Sequence, residues 1–430
     1  MDSSAFPRTL KIAHLLYYTP PFMSGYSVRS RYILREQAQA GLDVTAVSHP
    51  VMTKLGARDG DAFDGVPYLR LRRRGGLWAR LRNRFLGRDD GVLNAMTEEI
   101  LPLLRAVSPD VLHAHSPSVM GRLALAAAGR LGLPVVYEIR GLWEDSGAAS
   151  GIFAEDSAAY RRWRDKETLL VRSAHGIVAI SEGIKSDLLE RGIAEEKIHV
   201  VPNGADPPAE LGDPDRALAG RLGLAGKTVI GYAGTLWRVE GLDLLVEAFA
   251  RLSRRRPETA LLLVGDGPSR RDLEEQARRL GIADRVVFTG RVGHETIWEY
   301  YKLIDVLAVP RPSTRVTELV TPIKPLEAMG AGRAVLVSRV GGLTELVLEG
   351  ETGWAFTPGD PEDCARRLDE LAGDPLLRKR LGMNARAWIL GERTWPRIVA
   401  RYAEVYKRLM EVTRGARGES AAAGRAPADG

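Results

Sequence analysis

The residues with the clearest chemical potential lie between Leu319 and Gly342, in the stretch LVTPIKPLEAMGAGRAVLVSRVGG. Lys324 stands directly before Pro325, and Glu327 follows two residues later. Proline is favoured at the first position of a helix, because its missing N–H would have no partner there. A helix N-terminus presents N–H groups and the positive end of a dipole to an anion. The spacing therefore predicts a helix that starts at Pro325, with an anion site to which Lys324 adds a full charge.

Glu327 falls in the first turn of this predicted helix, where its carboxylate can accept hydrogen bonds from sugar hydroxyls. A phosphate beside Lys324 and a vicinal diol beside Glu327 together describe a nucleotide. The simpler alternative is that Glu327 only complements the helix dipole and that Lys324 is solvated. This stretch by itself leaves both interpretations open.

Three further stretches end a predicted strand in glycine: GYAGTLWRVEG, LLLVGDGP and VVFTGRV. Gly265 and Gly267 in the second stretch permit a backbone bend that a ligand can approach closely. Each stretch alone is a common turn of α/β proteins. Because parallel strands bring their carboxyl ends to one edge of a sheet, the three turns together predict a shared ligand site.

Short β-branched runs alternate with longer helical patterns along the chain, which is typical of βαβ units. The segment 203–215, NGADPPAELGDPD, is rich in proline, glycine and acid, so it is predicted to be a linker. We therefore predict an α/β protein with two tandem Rossmann-like, doubly wound domains, residues 1–205 and 206–385, and a cleft between them. Residues 386–412 are predicted to form a helix that returns to the first domain, and 413–430 a disordered tail.

The 430 residues exceed the usual size of one hydrophobic core. Cys364 is the sole cysteine, which excludes an internal disulfide framework and fits a reducing compartment. The sequence shows no signal peptide and no apolar run long enough to span a bilayer. We expect a cytoplasmic protein, at most bound to the inner face of the cell membrane.

A basic segment, LRLRRRGGLWARLRNRFLGR, covers residues 69–88. Arginines interleaved with leucine, tryptophan and phenylalanine are typical of surfaces that contact anionic lipid headgroups. A solvated helix face with ordinary core contacts is the other interpretation. Nucleic acid is not an expected partner, because no recognised binding module accompanies the segment.

The chain resembles glycosyltransferase family 4, which has the GT-B architecture, over nearly its whole length. The matching stretches are GYAGTL…EGLDLLVEAF, LLLVGDGP, VVFTGRV, PLEAMGAGRAVLVSRVGGLTELV, GETGWAF, AISEGIKSDLLERGIAEEKIHVVPNGAD, DVLHAHSP and PPFMSGYSVRSRYILREQAQAGLDVTAVS. The variants SGYSVRSRYILREQ, YEIRGLWED and ELVTPIKPLEAM resemble bacterial glycosyltransferases associated with exopolysaccharide and exosortase systems.

This resemblance implies transfer of a sugar from a nucleoside-diphosphate sugar, with retention at the anomeric carbon and without a metal. We expect the acceptor to be a glycan or polyprenyl-linked glycan, and we expect no cofactor. Glu327 matches the second acid of the family's E-x7-E motif and is expected to bind the donor ribose. Arg291 and Val292 are expected to meet the base, and Gly25 the donor phosphate or the acceptor. The further expected donor-binding residues are Arg238, Gly265, Gly267, Arg315, Pro325 and Leu326.

Three positions depart from the family pattern. The first acid of the motif falls on Leu319, with Glu318 one place earlier. Thr235 replaces the usual phosphate-binding arginine, and Glu240 the usual lysine. A departing diphosphate still needs preorganised cations, and Lys324 has the best position among the candidates. Lys324 and Glu318 are thus predicted catalytic residues; the other available cations are Arg238, Arg311 and Arg315.

Arg140 stands where many family members carry a histidine, just after the strand PVVYEI. Its planar guanidinium suits contact with an anionic acceptor or the donor sugar, so it is the third predicted catalytic residue. The alternative is an ion pair with Glu138 or Glu144 that only orders the loop. His115 is expected to be structural, and Asn203 to shape the turn between the domains.

Other functions remain alternatives at this level. A nucleotide-sugar epimerase or a glycogen-synthase-like enzyme would share the architecture, and the altered Thr235 and Glu240 would suit a non-catalytic glycan-binding or scaffold protein. A dinucleotide oxidoreductase is disfavoured, because no Gly-x-Gly-x-x-Gly fingerprint follows the first strand of either domain.

Overall fold

The computed structural model describes residues 9–22, 24–72, 88–293 and 295–423. In this part of the chain, two parallel-sheet α/β domains follow one another, and two helices from the C-terminus pack back on the first domain. This arrangement confirms the predicted fold class. The basic segment 69–88 falls largely outside the described residues, at 73–87.

The N-terminal domain is built on a sheet of eight described strands in the order β3-β4-β2-β1-β5-β6-β7-β8. Its strands are β1 (Lys11–Leu16), β2 (Asp43–Ser48), β3 (Ala62–Phe63), β4 (Val66–Arg70), β5 (Val111–His115), β6 (Val135–Ile139), β7 (Gly176–Ala179) and β8 (Ile198–Val200). Its helices are α1 (Gly25–Gln39), α2 (Val51–Lys54), α3 (Arg88–Val107), α4 (Ser118–Leu131), α5 (Trp143–Ala149), α6 (Ala158–Ser173) and α7 (Glu182–Glu190).

Every pairing in this sheet is parallel except β3 with β4. The central strands β5, β6 and β7 are buried along their whole length, as expected for a sheet covered by helices on both faces. Helix α1 begins with a capping box in which Ser24 and Ser27 satisfy each other's backbone N–H groups. This cap fixes the start of α1 at the carboxyl edge of the sheet.

The C-terminal domain carries a parallel sheet of six described strands in the order β11-β10-β9-β12-β13-β14. Its strands are β9 (Thr228–Ala233), β10 (Thr259–Val264), β11 (Val286–Gly290), β12 (Val306–Val309), β13 (Ala334–Ser338) and β14 (Trp354–Phe356). Its helices are α8 (Arg216–Arg221), α9 (Leu242–Arg255), α10 (Arg270–Arg279), α11 (Ile297–Leu303), α12 (Arg315–Leu319), α13 (Lys324–Gly330), α14 (Gly341–Thr344), α15 (Pro361–Gly373) and α16 (Pro375–Trp388).

Apolar spacing explains how these helices attach to the sheet. In α9, Leu242, Leu245, Val246 and Phe249 recur at helical spacing and are all buried. The predicted helix at Pro325 exists as α13, which begins one residue earlier, at Lys324, and places Pro325 in its first turn.

The C-terminal helices are α17 (Trp395–Ala400) and α18 (Tyr402–Ala423). Trp395, Ile398, Tyr402 and Tyr406 are buried in the same apolar cluster as strand β1 of the first domain. The sequence predicted a disordered tail from residue 413, but α18 continues to Ala423 because its last ten residues are mostly good helix formers without a proline. None of the helices in the described part of the chain combines the length and apolar character needed to cross a bilayer.

Candidate functional site

The cleft edge of the C-terminal domain is formed by tightly packed turns after β9 and β10. A Cβ atom on Gly265, whose φ is +135°, would lie 1.9 Å from the carbonyl oxygen of Gly234. A Cβ on Gly267 would lie 2.6 Å from the carbonyl oxygen of Leu236. The close approach of the turn after β9 therefore requires glycine at both positions. From the sequence, we expected these glycines to allow the close approach of a ligand.

Lys324 leaves the start of α13 and reaches across this turn. A Cβ on Gly234 would lie 2.2 Å from its Cε, so the side chain occupies the space that a residue larger than glycine would take. Its Nζ donates a hydrogen bond to Glu240 Oε1 at 2.6 Å and lies 5.1 Å from the centre of the Tyr232 ring. Only 19% of the Lys324 side chain is exposed, so it is not the solvated lysine of the simpler interpretation.

Glu240 joins Lys324 to a second cation. The guanidinium of Arg311 donates to both carboxylate oxygens of Glu240, with distances of 3.2 Å from Nε and 3.1 Å from Nη2. Burial alone would raise the pKa of Glu240, but the charges of Arg311 and Lys324 outweigh burial and lower it to about 2. Two cations and one carboxylate leave this charge cluster with one net positive charge at the cleft.

Glu327 lies one turn further along α13 and is half-buried. Its Oε2 accepts a hydrogen bond from the hydroxyl of Tyr301 at 2.7 Å. Burial is the main cause that raises the pKa of Tyr32 in α1, and the charges of Asp206 and Glu327 add to it. The Glu327 carboxylate thus lies at the cleft, close to the opposite domain, with a partner that fixes its orientation.

Glu318 bridges two loops of the same domain. One carboxylate oxygen accepts from the Ser313 hydroxyl and the other from the backbone N–H of Gly341, each at 2.6 Å. The short helix α14 starts at Gly341, so Glu318 positions the loop that follows β13.

Arg315 crosses the cleft. Its guanidinium forms an ion pair with Asp187 of α7 and lies 3.4 Å from Oδ1 of Asp145 in α5. Both partners belong to the N-terminal domain and are almost fully buried. The structure therefore favours an interdomain contact for Arg315 over the predicted contact with the donor.

Arg140 is held by a buried network around Glu138. Its Nε donates to Glu138 at 2.7 Å, and its Nη1 donates to the carbonyl of Tyr26 and the hydroxyl of Ser30 in α1. Glu138 also pairs with Arg29 at 3.0 Å. Because only 6% of the Arg140 side chain is exposed, the structure favours the ion pair that orders the loop over contact with substrate.

His14, His113 and His115 form the group of side chains that comes closest to a metal site within the described residues. However, His14 uses both ring nitrogens in contacts with His115 and Gln37, at 2.9 and 2.8 Å. Arg140 contacts the remaining ring nitrogen of His115 at 2.6 Å. The ring nitrogens of His14 and His115 are thus engaged, and His113 contacts the Tyr406 hydroxyl through Nδ1 at 2.8 Å and lies 3.5 Å from Glu138 through Nε2. The three histidines, including His115, therefore support the strand ends as buried structural residues.

The remaining predicted site residues differ in how far they are exposed to solvent. Arg238 and Arg291 are exposed, Val292 is half-buried, and Gly25 opens α1 with open space on the side where a Cβ would point. The side chains of Pro325 and Leu326 are buried, so these two residues can offer a ligand only backbone atoms.

Three residues of the site could not have been identified from sequence patterns. Tyr301 orients Glu327 from 26 positions away, and Arg29 and Tyr402 both contact Glu138. Asn203, predicted to shape the interdomain turn, donates from its amide to the carbonyl of Thr321 at 2.8 Å.

Comparisons with known proteins agree with this architecture. The family described as Glycosyltransferase Family 4 matches residues 23–208, and the family described as Glycosyl transferases group 1 matches residues 219–388. The D-inositol 3-phosphate glycosyltransferase of Nocardiopsis dassonvillei is 30% identical over 339 residues, which cover 73% of this chain and 76% of that protein. The 2-deoxystreptamine glucosyltransferase of Streptomyces kanamyceticus is 30% identical over 334 residues, or 73% and 82% of the two chains.

Solved structures show the same fold. Sucrose-phosphate synthase from Thermosynechococcus elongatus has a TM-score of 0.75 at 21% identity, covering 94% of this chain and 100% of that one. Anabaena HepE, solved in complex with UDP-glucose, has a TM-score of 0.73 at 19% identity, with coverages of 93% and 100%. The chain belongs to glycosyltransferase family 4, with the GT-B fold, and is a glycosyltransferase.

Proposed function

We propose that this glycosyltransferase moves a sugar from a nucleoside-diphosphate sugar to a glycan or polyprenyl-linked glycan, with retention at the anomeric carbon. The observation that carries the proposal is the placement of Lys324 and Glu327 on one short helix at the cleft. The cation is held against Gly234, and the carboxylate is oriented by Tyr301. A diphosphate binds to a cation, and the hydroxyls of a ribose donate hydrogen bonds to a carboxylate. Lys324 and Glu327 supply these two groups.

In the proposed reaction, Lys324 and the neighbouring Arg311 stabilise the negative charge that develops on the leaving diphosphate. The acceptor oxygen bonds to the anomeric carbon from the face on which the bond to the diphosphate breaks, and the proton of the acceptor hydroxyl passes to the departing diphosphate oxygen. Glu327 holds the ribose through its hydroxyls, while Glu318 orders the loop at Gly341 beside the donor sugar. The exposed Arg238 and Arg291 and the half-buried Val292 remain candidates for phosphate and base contacts.

Two relatives support a nucleotide-sugar donor. HepE was solved with UDP-glucose, and a mannosyltransferase of Mycolicibacterium smegmatis that is 35% identical over 210 residues is described as GDP-mannose-dependent. We further propose a role in exopolysaccharide or other cell-surface polysaccharide synthesis at the inner membrane face. The basic segment 69–88 would supply the contact with anionic lipid.

The experiment is a turnover assay with UDP- and GDP-sugars, with and without a detergent extract of bacterial polyprenyl-linked glycans. A transferase releases nucleoside diphosphate faster when the extract is present, and the product keeps the anomeric configuration of the donor by NMR. Interconversion of donor sugars without extract would indicate an epimerase. The scaffold alternative is favoured by Thr235 and Glu240, which replace two cations of the family pattern. Titration with UDP and GDP tests it, because a scaffold should bind neither nucleotide.

A further inference from the structure

Helix α16 and the π-helical turn Ile389–Arg393 that continues it present a row of apolar side chains to solvent. This apolar stripe consists of Leu376, Met383 and Leu390, which are 80%, 61% and 42% exposed. The three residues follow one another at intervals of seven, close to two helical turns, so they lie along one face over roughly 21 Å. Exposed apolar patches with a polar rim mark interaction sites.

The opposite face of the helix is firmly packed, so the stripe is not the result of a loosely attached element. Leu381, Ala385 and Ile389 recur every four residues and are fully buried. The helix packs on strand β13 and on α13. Arg386 also donates from Nη2 to the carbonyl oxygen of Pro208 at 2.8 Å. The fold therefore fixes α16 with the apolar stripe directed outward.

The charge of this helix has one sign. Residues 375–391 include four basic residues and no acid. Arg378 and Arg386 donate to carbonyl oxygens of the protein, whereas the exposed Lys379 and Arg380 form no ion pair with any residue that the structure describes. Lys379 and Arg380 follow the first stripe residue by three and four positions, so they adjoin it on the helix surface. The surface is thus both apolar and basic, which suits an anionic partner.

The narrow shape of the surface favours a membrane over a folded protein partner. A standard protein interface takes roughly 800 Å² from each partner and involves about 20–30 residues a side. A lipid surface needs much less, because a single helix lies in the headgroup region with its apolar face roughly 5–10 Å deep and its cations beside anionic headgroups. A single row of apolar side chains flanked by two cations has this form.

We propose that α16 is a docking surface for an anionic lipid membrane, with the apolar stripe inserted at the level of the headgroups and Lys379 and Arg380 beside lipid phosphates. The surface belongs to the C-terminal domain and is separate from the basic segment 69–88 of the N-terminal domain. The inference rests on the proposed role at the inner membrane face and adds a contact made by the other domain.

Flotation of the full-length protein with lipid vesicles tests the surface. The protein should float with vesicles of equal parts phosphatidylglycerol and phosphatidylcholine, and not with vesicles of phosphatidylcholine alone. The double variant Lys379→Gln, Arg380→Gln should lower the partition coefficient roughly 30-fold, the effect of two cations at a membrane surface. Met383→Ser should lower it roughly tenfold, because one apolar side chain no longer enters the membrane.

Matched variants elsewhere on the molecule serve as controls. The double variant Arg278→Gln, Arg279→Gln removes two exposed arginines of α10, so it makes the same change in net charge. Leu169→Ser removes an exposed leucine of α6 that is 68% exposed. Both controls should float with the anionic vesicles as the parent protein does.

A fluorescent label locates the contact on α16 and separates it from segment 69–88. Cys364 is the sole cysteine and is buried, so a cysteine introduced at the surface can be labelled selectively. An environment-sensitive fluorophore on Met383→Cys should shift its emission to the blue when anionic vesicles are added. The same label on Arg271→Cys of α10, a position with 86% of its side chain exposed, should show no shift.

The proposal is overturned if the protein does not float with anionic vesicles, or if the variants of α16 float as the parent does and the label on Met383→Cys shows no shift. It is also overturned if Met383→Ser only converts a dimer to a monomer in sedimentation velocity, because the stripe would then contact a second copy. Turnover of UDP- and GDP-sugars with a detergent-solubilised acceptor should be unchanged in the variants of α16. A parent protein without turnover would overturn the proposed function and leave the vesicle results intact.

Discussion

In the proposed site, the ammonium group of Lys324 interacts with both the Glu240 carboxylate and the donor diphosphate. Glu240 holds Lys324 at 2.6 Å and Arg311 at 3.1 Å, and both cations are largely buried. Burial lowers the pKa of Lys324, while the charge of Glu240 partly opposes this effect. A diphosphate must therefore compete with Glu240 for the same ammonium group.

Replacing Glu240 with glutamine should have opposite effects on binding and stability. Nucleoside diphosphates should bind about tenfold more tightly, because the competing charge is gone. The free energy of unfolding should fall by about 3–5 kcal/mol, because two buried cations lose their partner. Calorimetric titration and urea unfolding measure the two quantities. Glu247→Gln removes the exposed partner of Arg251 and should change neither by much; weaker nucleotide binding in Glu240→Gln would contradict this role.

Glu167 should give the protein a pH dependence of stability near neutrality. It is 2% exposed and accepts a hydrogen bond from the Tyr137 hydroxyl at 2.7 Å. Burial raises its pKa from 4.5 to about 7, so its stability contribution is complete below pH 4.5 and is lost as the pH rises through 7. Glu167→Gln should therefore be about 3 kcal/mol more stable than the parent protein at pH 8, with little difference at pH 4.5.

Urea unfolding at both pH values measures this difference. Glu190→Gln, on the exposed end of α7, is the matched control and should behave like the parent protein at either pH. Equal stabilities of Glu167→Gln and the parent at pH 8 would show that ionisation of the buried Glu167 does not destabilise the fold.

At the scale of elements, the site depends on two glycine turns that touch each other. Gly265→Ala would bring a Cβ to 1.9 Å from the Gly234 carbonyl and should destabilise the protein by more than about 2 kcal/mol. Nucleotide binding should weaken as well, since Lys324 packs on Gly234. Gly226→Ala also has a positive φ, +72°, but meets no atom within 4 Å, so it should cost only about 1 kcal/mol. Similar losses in both variants, measured by thermal unfolding, would argue against the turn contact.

Local elements were predictable from the sequence, whereas contacts between distant elements were not. Proline preference predicted the helix at Pro325 to within one residue, and strand-ending glycines predicted the cleft edge. The pair formed by Lys324 and Glu240 joins residues 84 positions apart, and no periodicity encodes it. The contacts of Arg140 were not predictable either. Its hydrogen-bond partners Tyr26 and Ser30 belong to α1, whereas Arg140 follows β6.

At the scale of the whole molecule, several polar contacts join the two domains across the cleft. Arg315 pairs with Asp187, Asn203 reaches Thr321, and the Ser181 hydroxyl donates to the carbonyl of Leu319 at 2.5 Å. The C-terminal helices α17 and α18 tie the second domain back to the first through a large apolar contact. These polar contacts, with the packing of Leu319 and Val320 on the N-terminal domain, would have to break and re-form if the domains move apart during turnover.

Arg315→Met should shift the protein toward an open form when no nucleotide is bound. A loss of about 1–2 kcal/mol changes the ratio of closed to open molecules roughly 5- to 30-fold. Small-angle scattering should report a larger radius of gyration than for the parent protein, and saturating nucleoside diphosphate should reverse the increase. Arg251→Met, on the outer surface, is the control. An unchanged radius of gyration would mean that Arg315 does not hold the domains together.

The most direct measurement is a calorimetric comparison of UDP and GDP with their 2′,3′-dideoxy forms, on the parent protein and on Glu327→Gln. If Glu327 binds the ribose beside a diphosphate at Lys324, the parent should prefer the ribonucleotide by roughly 10- to 100-fold. Glu327→Gln should lose most of that preference while binding the dideoxy form as the parent does. A preference that survives in Glu327→Gln, or a parent protein that binds none of these nucleotides, would contradict the proposed donor site.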